Sequence, residues 1–211
     1  MFNIKKITID LASRLPLINR LLKKKTEKVF RTSAPIIIYQ IRDVVEEWIE
    51  SSDTIKSLRG GELQAEFGLT NEIVEQVIEQ IKVIWSKSIK YTVAGGANSS
   101  SLLIYFGPRD PSSLLEIDGA SYVSPRSGER IDWLKWLLLE ADKIRIVGWW
   151  TMYKPAPTSR SGQAIMVKGK SRFWSVPSPF NVPSSENFIY EIMNNPAFRS
   201  QIRAIIMRVL D

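Results

Sequence analysis

The sequence predicts an α+β protein in which N-terminal helices lead into a mostly antiparallel sheet with an inserted buried helix, and C-terminal helices close the chain. Two observations predict it. Apolar residues recur at helical spacing from about 34 to 88 and again after 185. Between 89 and 176 the spacing shortens to the period of two that strands require, broken once by the dense apolar run at 131–139.

Taken in order, Ser33 is placed to cap a helix at about 34–51, with Pro35 in its first turn and Ile37, Ile41, Val44 and Trp48 along one face. Ser51-Ser52-Asp53 ends it and caps a short helix that stops at Gly60-Gly61. Glu62 to Phe67 is a further turn of helix closed by Gly68, and Thr70 opens a helix running to about Ser88. Ile89–Val93 and Leu102–Phe106 bracket a Gly/Asn/Ser loop and predict a hairpin, and Ala120–Val123 reads as a short strand. Arg130–Glu140 is apolar on nearly every side, so a buried helix is expected there with Trp136 and Leu137 in the core. Lys143–Trp150 alternates as a strand does, and Gln163–Lys168 and Arg172–Val176 read as two more, linked by Pro-rich connections at 154–160 and 177–183. Helices at about 185–194 and 197–210 complete the chain.

The composition narrows the chemistry. With 211 residues, 44% hydrophobic and 24% charged, and a mean hydropathy of -0.09, the chain has the make-up of an ordinary globular protein. It contains no cysteine and no histidine, which removes disulfides, thiol nucleophiles, imidazole bases and the usual zinc ligands. The missing cysteines also leave the compartment unread from redox chemistry. No apolar window is long enough to span a membrane, and Asp10, Arg14 and Arg20 interrupt the N-terminal apolar residues, so no cleaved signal peptide is expected. Gly60-Gly61 and Gly95-Gly96 lack the rest of a phosphate cradle, no nucleophile elbow occurs, and no cofactor or small-molecule substrate is expected.

Charge is concentrated at one end. Residues 1–31 hold nine Lys/Arg and two acids, which accounts for the whole formal charge of +7, while residues 32–211 hold twenty of each sign. The expected organisation is therefore a basic N-terminal arm, 1–31, and a single α+β domain, 32–211. The arm contains an amphipathic segment through Leu15, Ile18, Leu21 and Leu22 that ends in Lys23-Lys24-Lys25. These lysines are candidates for contact with nucleic acid, a membrane surface or an acidic partner protein.

Glu129, Asp132, Glu140 and Asp142 flank the apolar helix as a carboxylate pair would flank a sugar. Glu129 and Asp132 are equally placed to complement the positive end of the helix dipole, and Glu140 and Asp142 to be solvated at its exit, so no enzyme is expected. Of the seven tryptophans, adjacent Trp149 and Trp150 must leave opposite faces of their strand, which makes them candidate subunit contacts.

Three separate segments carry a likeness. They are Ile131-Asp132-Trp133-Leu134-Lys135-Trp136-Leu137-Leu138-Leu139-Glu140-Ala141-Asp142, then Ser159-Arg160-Ser161-Gly162 leading into a strand, then Trp174-Ser175-Val176-Pro177 with Phe180 shortly after. In this order they resemble neck and tail-completion proteins of tailed bacteriophages, and Arg59-Gly60-Gly61-Glu62-Leu63-Gln64-Ala65-Glu66-Phe67-Gly68-Leu69 resembles an upstream segment of the same group. The likeness covers about residues 50–195 and departs where Asn181-Val182-Pro183 stands in place of a Gly-Thr after the phenylalanine. It implies a non-enzymatic ring subunit in the virion, at the head-tail junction, made in the host cytoplasm. Its partners would be copies of itself and neighbouring neck, connector or tail proteins, with packaged DNA a further partner through the arm. By physical analogy Ser159-Arg160-Ser161-Gly162 is a turn in which Arg160 is a candidate for pairing with an acid on the next subunit, with a simple solvated turn as the equal alternative.

Overall fold

Buried apolar residues at Phe30, Ala34, Ile37, Ile41, Val45 and Ile49 follow one another at helical spacing without a break. They drive a single helix, α1 (Pro16–Ser51), in the computed structural model, which describes residues 7–10, 16–96, 99–106, 112–124, 128–153, 159 and 161–211. The arm's amphipathic segment and the helix expected from 34 are thus continuous, and the arm boundary expected at residue 31 falls inside α1. Ser33 is no cap. Pro35 removes one backbone donor from the helix interior at a cost of about 3 kcal/mol. The helix tolerates it because Pro35 is exposed while Phe30, Ala34, Ile37 and Ile38 on either side are buried.

The remaining helices follow their local signals. In α2 (Asp53–Leu58) the Ser52 hydroxyl accepts from the Ile55 amide at 3.3 Å. The next helix, α3 (Glu62–Phe67), closes at Gly68 with φ of 60°. It is followed by α4 (Asn71–Ser88), α5 (Ser112–Leu115), α6 (Trp133–Lys135), α7 (Phe188–Asn194) and α8 (Pro196–Leu210). Among the described residues every ladder is antiparallel, but the strands make three small sheets rather than one. In the first, β1 (Ile7–Asp10) and β2 (Lys90–Gly95) flank β3 (Ser100–Tyr105); in the second β4 (Tyr122–Val123) pairs with β5 (Arg130–Ile131); in the third β6 (Ile146–Met152) pairs with β7 (Ile165–Trp174).

The chain divides into two compact units, and two of the four boundaries between them fall within α1 and within α4. One unit takes Met1–Glu47, Val83–Pro111 and Asn195–Asp211. Its core holds Phe30, Ile37 and Ile41 of α1, Trp85, Leu102 and Ile104, and Phe198, Ile202 and Ile206 of α8. Phe106 meets Phe198 edge-on at 6.4 Å, Arg42 donates to the Ser86 carbonyl at 2.9 Å, and Arg208 donates to Gln40 at 2.8 Å.

The other unit takes Trp48–Lys82 and Ser112–Asn194. Its inserted helix differs from expectation at the start, because Arg130 and Ile131 pair with Val123 and Tyr122 as a strand and the helix begins only at Trp133. From Trp136 to Glu140 it widens into a π-turn. That geometry brings residues five apart together, and Lys135 meets Glu140 at 2.8 Å. Trp133 is fully buried and donates to the Gly119 carbonyl at 2.6 Å, and Leu137 is buried as expected. Trp136 is only half-buried, a departure that follows from the π-turn, which rotates the helix face. Asn187 anchors α7 by donating to the carbonyls of Leu138 and Ser184, both at 2.9 Å, while its own oxygen accepts from the amides of Ile189 and Tyr190.

Candidate functional site

The two strands expected at Gln163–Lys168 and Arg172–Val176 are one strand, β7, and its pairing with β6 explains the apparent gap. Val147 pairs with Phe173 and Trp149 with Lys168, so residues 169 to 172 of β7 stand opposite the single residue Gly148. Gly148 has a φ of 81°, which side-chain-bearing residues rarely adopt, and it accommodates this irregularity.

The ribbon interleaves rings and cations. The guanidinium of Arg172 lies 4.0 Å from the Trp150 ring centroid, that of Arg145 4.7 Å from Phe173, and the Lys168 ammonium 5.4 Å from Trp149. Trp149 and Trp150 are both half-buried, whereas Phe173 and its partner Val147 are exposed. Gly169 makes room for Trp150, since a β-carbon there would come within 2.9 Å of the indole. The charged groups of Lys143, Arg145, Lys168, Lys170 and Arg172 belong to exposed residues.

Helix α3 holds the ribbon through polar groups. The Glu66 carboxylate accepts hydrogen bonds from the Thr151 hydroxyl, the Tyr153 phenol and, at 2.6 Å, the Trp174 indole. Burial, followed by the Glu66 and Glu62 carboxylates, pushes the Tyr153 phenol above its ordinary range. Gln163 donates to Gln64 at 3.0 Å, and Gln64 donates to Asn71 at 2.5 Å. Behind these contacts Phe67 meets Trp133 at 5.8 Å and Trp174 at 5.7 Å, and Trp136 meets Trp174 at 5.6 Å.

The other candidates fall elsewhere. Lys23 is half-buried and Lys24 and Lys25 are exposed on α1, in the other unit from the ribbon. Arg160 lies outside the described residues. Asp132 accepts from Arg130 at 2.7 Å, and Glu140 pairs with Lys135, so each acid is engaged by a near neighbour in the chain. Among the described residues no group of three or more carboxylates is placed to hold a metal ion, and no helix is long and apolar enough to cross a membrane.

One signal was hidden by summing charge over the whole body. Residues 143–185 contain no acid and seven bases: Lys143, Arg145, Lys154, Arg160, Lys168, Lys170 and Arg172. The rest of 32–211 holds thirteen bases and twenty acids. The neutral body is therefore sharply divided, and its positive part is the ribbon with its connections. Comparison of the chain with protein-family models, with curated proteins and with solved structures found no match.

Proposed function

We propose that this chain is a structural, non-enzymatic subunit of the head-tail junction of a tailed bacteriophage, a neck or tail-completion protein that joins the DNA-filled head to the tail. Its partners are copies of itself in a ring and the adjoining neck, connector or tail proteins. Each contact between ring subunits is heterologous and closes by rotation. One observation carries the reading. Three of the four segments on which the resemblance rests, 59–69, 131–142 and 174–180, are remote in sequence, share one unit and meet through Phe67, Trp133, Trp136 and Trp174, with Glu66 bonded to Trp174.

Electron microscopy of lysates from the virus with this gene deleted tests it. DNA-filled heads unattached to tails, rescued when the gene is supplied in trans, are the expected result. Intact infectious particles from the deletion would sink the reading.

A second reading, a protein that binds nucleic acid or a membrane surface through its basic arm, is favoured by the exposure of Lys24 and Lys25 on α1. Replacing Lys23, Lys24 and Lys25 by Glu abolishes binding on that reading. Assembly through the body survives the same change on the first.

A further inference from the structure

We propose that the β6–β7 ribbon is a binding surface for the sugar-phosphate backbone of a nucleic acid, contacted by Arg145, Lys168, Lys170 and Arg172. The proposal concerns a surface separate from the basic arm and stands independently of the junction reading.

Charge segregation is the first ground. A face needed only for solubility works with both signs interspersed, whereas residues 143–185 carry seven bases and no acid in a body that elsewhere has an acidic excess. The four named cations are exposed, so their field acts on solvent-borne partners. Two carboxylates of α3 lie beside the ribbon, half-buried Glu66, which accepts from Thr151, Tyr153 and Trp174, and Glu62, which faces the Tyr153 phenol, so both are engaged by ribbon donors.

Geometry is the second. Lys168, Lys170 and Arg172 lie within five residues of one strand, across the irregularity opposite Gly148, with Lys168 at the Trp149 ring and Arg172 at the Trp150 ring, so cations flank both adjacent indoles where a polyanion would meet the ribbon. Two arginines lie against rings, Arg172 at Trp150 and Arg145 at Phe173. An arginine beside an aromatic face is the pairing in which a base stacks while the cation reaches a phosphate. A two-stranded ribbon is also an element that the major groove of a duplex admits. A membrane surface instead selects a continuous apolar ridge flanked by lysines, and this ribbon alternates its rings with charges.

The test is fluorescence anisotropy with the full chain, titrated into a labelled single strand and into a labelled duplex between about 50 and 200 mM salt. The triple variant Lys168→Gln, Lys170→Gln, Arg172→Gln is compared with wild type and with an arm variant, Lys23→Gln, Lys24→Gln, Lys25→Gln. Wild type is expected to bind, with affinity falling steeply as salt rises. The ribbon variant is expected to bind about tenfold or more weakly, with a salt slope smaller by about three. Tighter binding of the single strand, weakened by Phe173→Ala, supports contact with stacking; equal binding of the duplex supports contact through the cations. Lys170→Glu, a single change at an exposed residue, gives the same readout if the triple variant does not fold.

Absence of binding to both nucleic acids overturns the proposal. So does a ribbon variant that binds as tightly as wild type, or loss confined to the arm variant. Retention on phosphatidylglycerol vesicles or polyglutamate, lost in the ribbon variant while DNA is not bound, overturns it in favour of a membrane or an acidic protein. Binding in solution is measured without virus, so its failure is distinguishable from the failure of the junction reading.

Discussion

The indole N–H of Trp174 donates to the Glu66 carboxylate at 2.6 Å, joining two residues 108 positions apart. The same carboxylate accepts from Thr151 and Tyr153 on the chain of β6, so one side chain of α3 gathers both strands of the ribbon. Trp174 is 3% exposed, and its ring also meets Phe67 and Trp136. The cationic ribbon is consequently fixed on a packed aromatic base. A surface held in this way keeps its charges in register before any partner arrives.

Glu66→Ala is therefore expected to destabilise the protein by about 1–3 kcal/mol, because it leaves the buried Trp174 donor without its acceptor. Glu66→Gln should cost less, since its amide oxygen still accepts. Urea denaturation measures both, and equal losses for the two variants would remove the hydrogen bonds as the cause.

Trp133 and Trp136, one helical turn apart, should respond differently to replacement by phenylalanine. Trp133 is fully buried and its indole donates to the Gly119 carbonyl at 2.6 Å. Gly119 itself has a φ of 92°, and a β-carbon there would lie 3.1 Å from Val77 Cγ2, so the acceptor sits on a tightly packed turn. Trp133→Phe forfeits that bond and part of the ring volume, at about 2 kcal/mol or more. Trp136→Phe, at a half-buried position, should cost under about 1 kcal/mol. Thermal melts that rank the two in the opposite order would contradict the π-turn assignment.

What was legible in the sequence was local. The antiparallel pairing of β2 with β3, the Gly68 stop and the Pro196 start depend on residues close together in the chain, and they lie where the local pattern puts them. Pro35 misled because a proline after a serine is a sound helix-start signal, and only the burial of Phe30 and Ala34 shows that the helix is already under way. The two strands expected at 163–168 and 172–176 are one strand whose pairing is interrupted at 169–172, and the positive φ of Gly148 on the partner strand, which accommodates that irregularity, has no local sequence signature. Glu66 gave no signal, since its partners lie 85 to 108 residues away and no periodicity connects them. The ribbon's charge was readable all along, but it cancels when the body is totalled as a whole.

Pro35→Ala is expected to stabilise the protein. The position is exposed and helical, so alanine restores the amide that bonds the Arg31 carbonyl and removes the ring's clash with it. The gain should be about 1–3 kcal/mol, part of it offset by the greater freedom of alanine in the unfolded chain. A lower melting temperature in the variant would mean that the helix is shaped around a kink that its packing requires.

Acid should weaken the unit that contains Glu50 through that residue. The hydrogen-bonded Arg59 guanidinium, aided by Lys82, holds the Glu50 carboxyl down to about 2 from an ordinary 4.5, against the burial that raises it. A carboxylate depressed in the folded state binds its proton more readily when unfolded. Its contribution is therefore complete above about pH 4.5 and drains away as the pH falls toward 2. Full linkage over that interval would be about 3 kcal/mol. Glu50 and Arg59 are each about a third exposed, and solvent screening reduces the expectation to roughly 1 kcal/mol. In Glu50→Gln the stability at neutral pH should be lower and its decline between pH 4.5 and 2 shallower than in wild type. Urea midpoints across that range decide it: parallel curves for the two proteins would show that Glu50 does not carry the acid sensitivity.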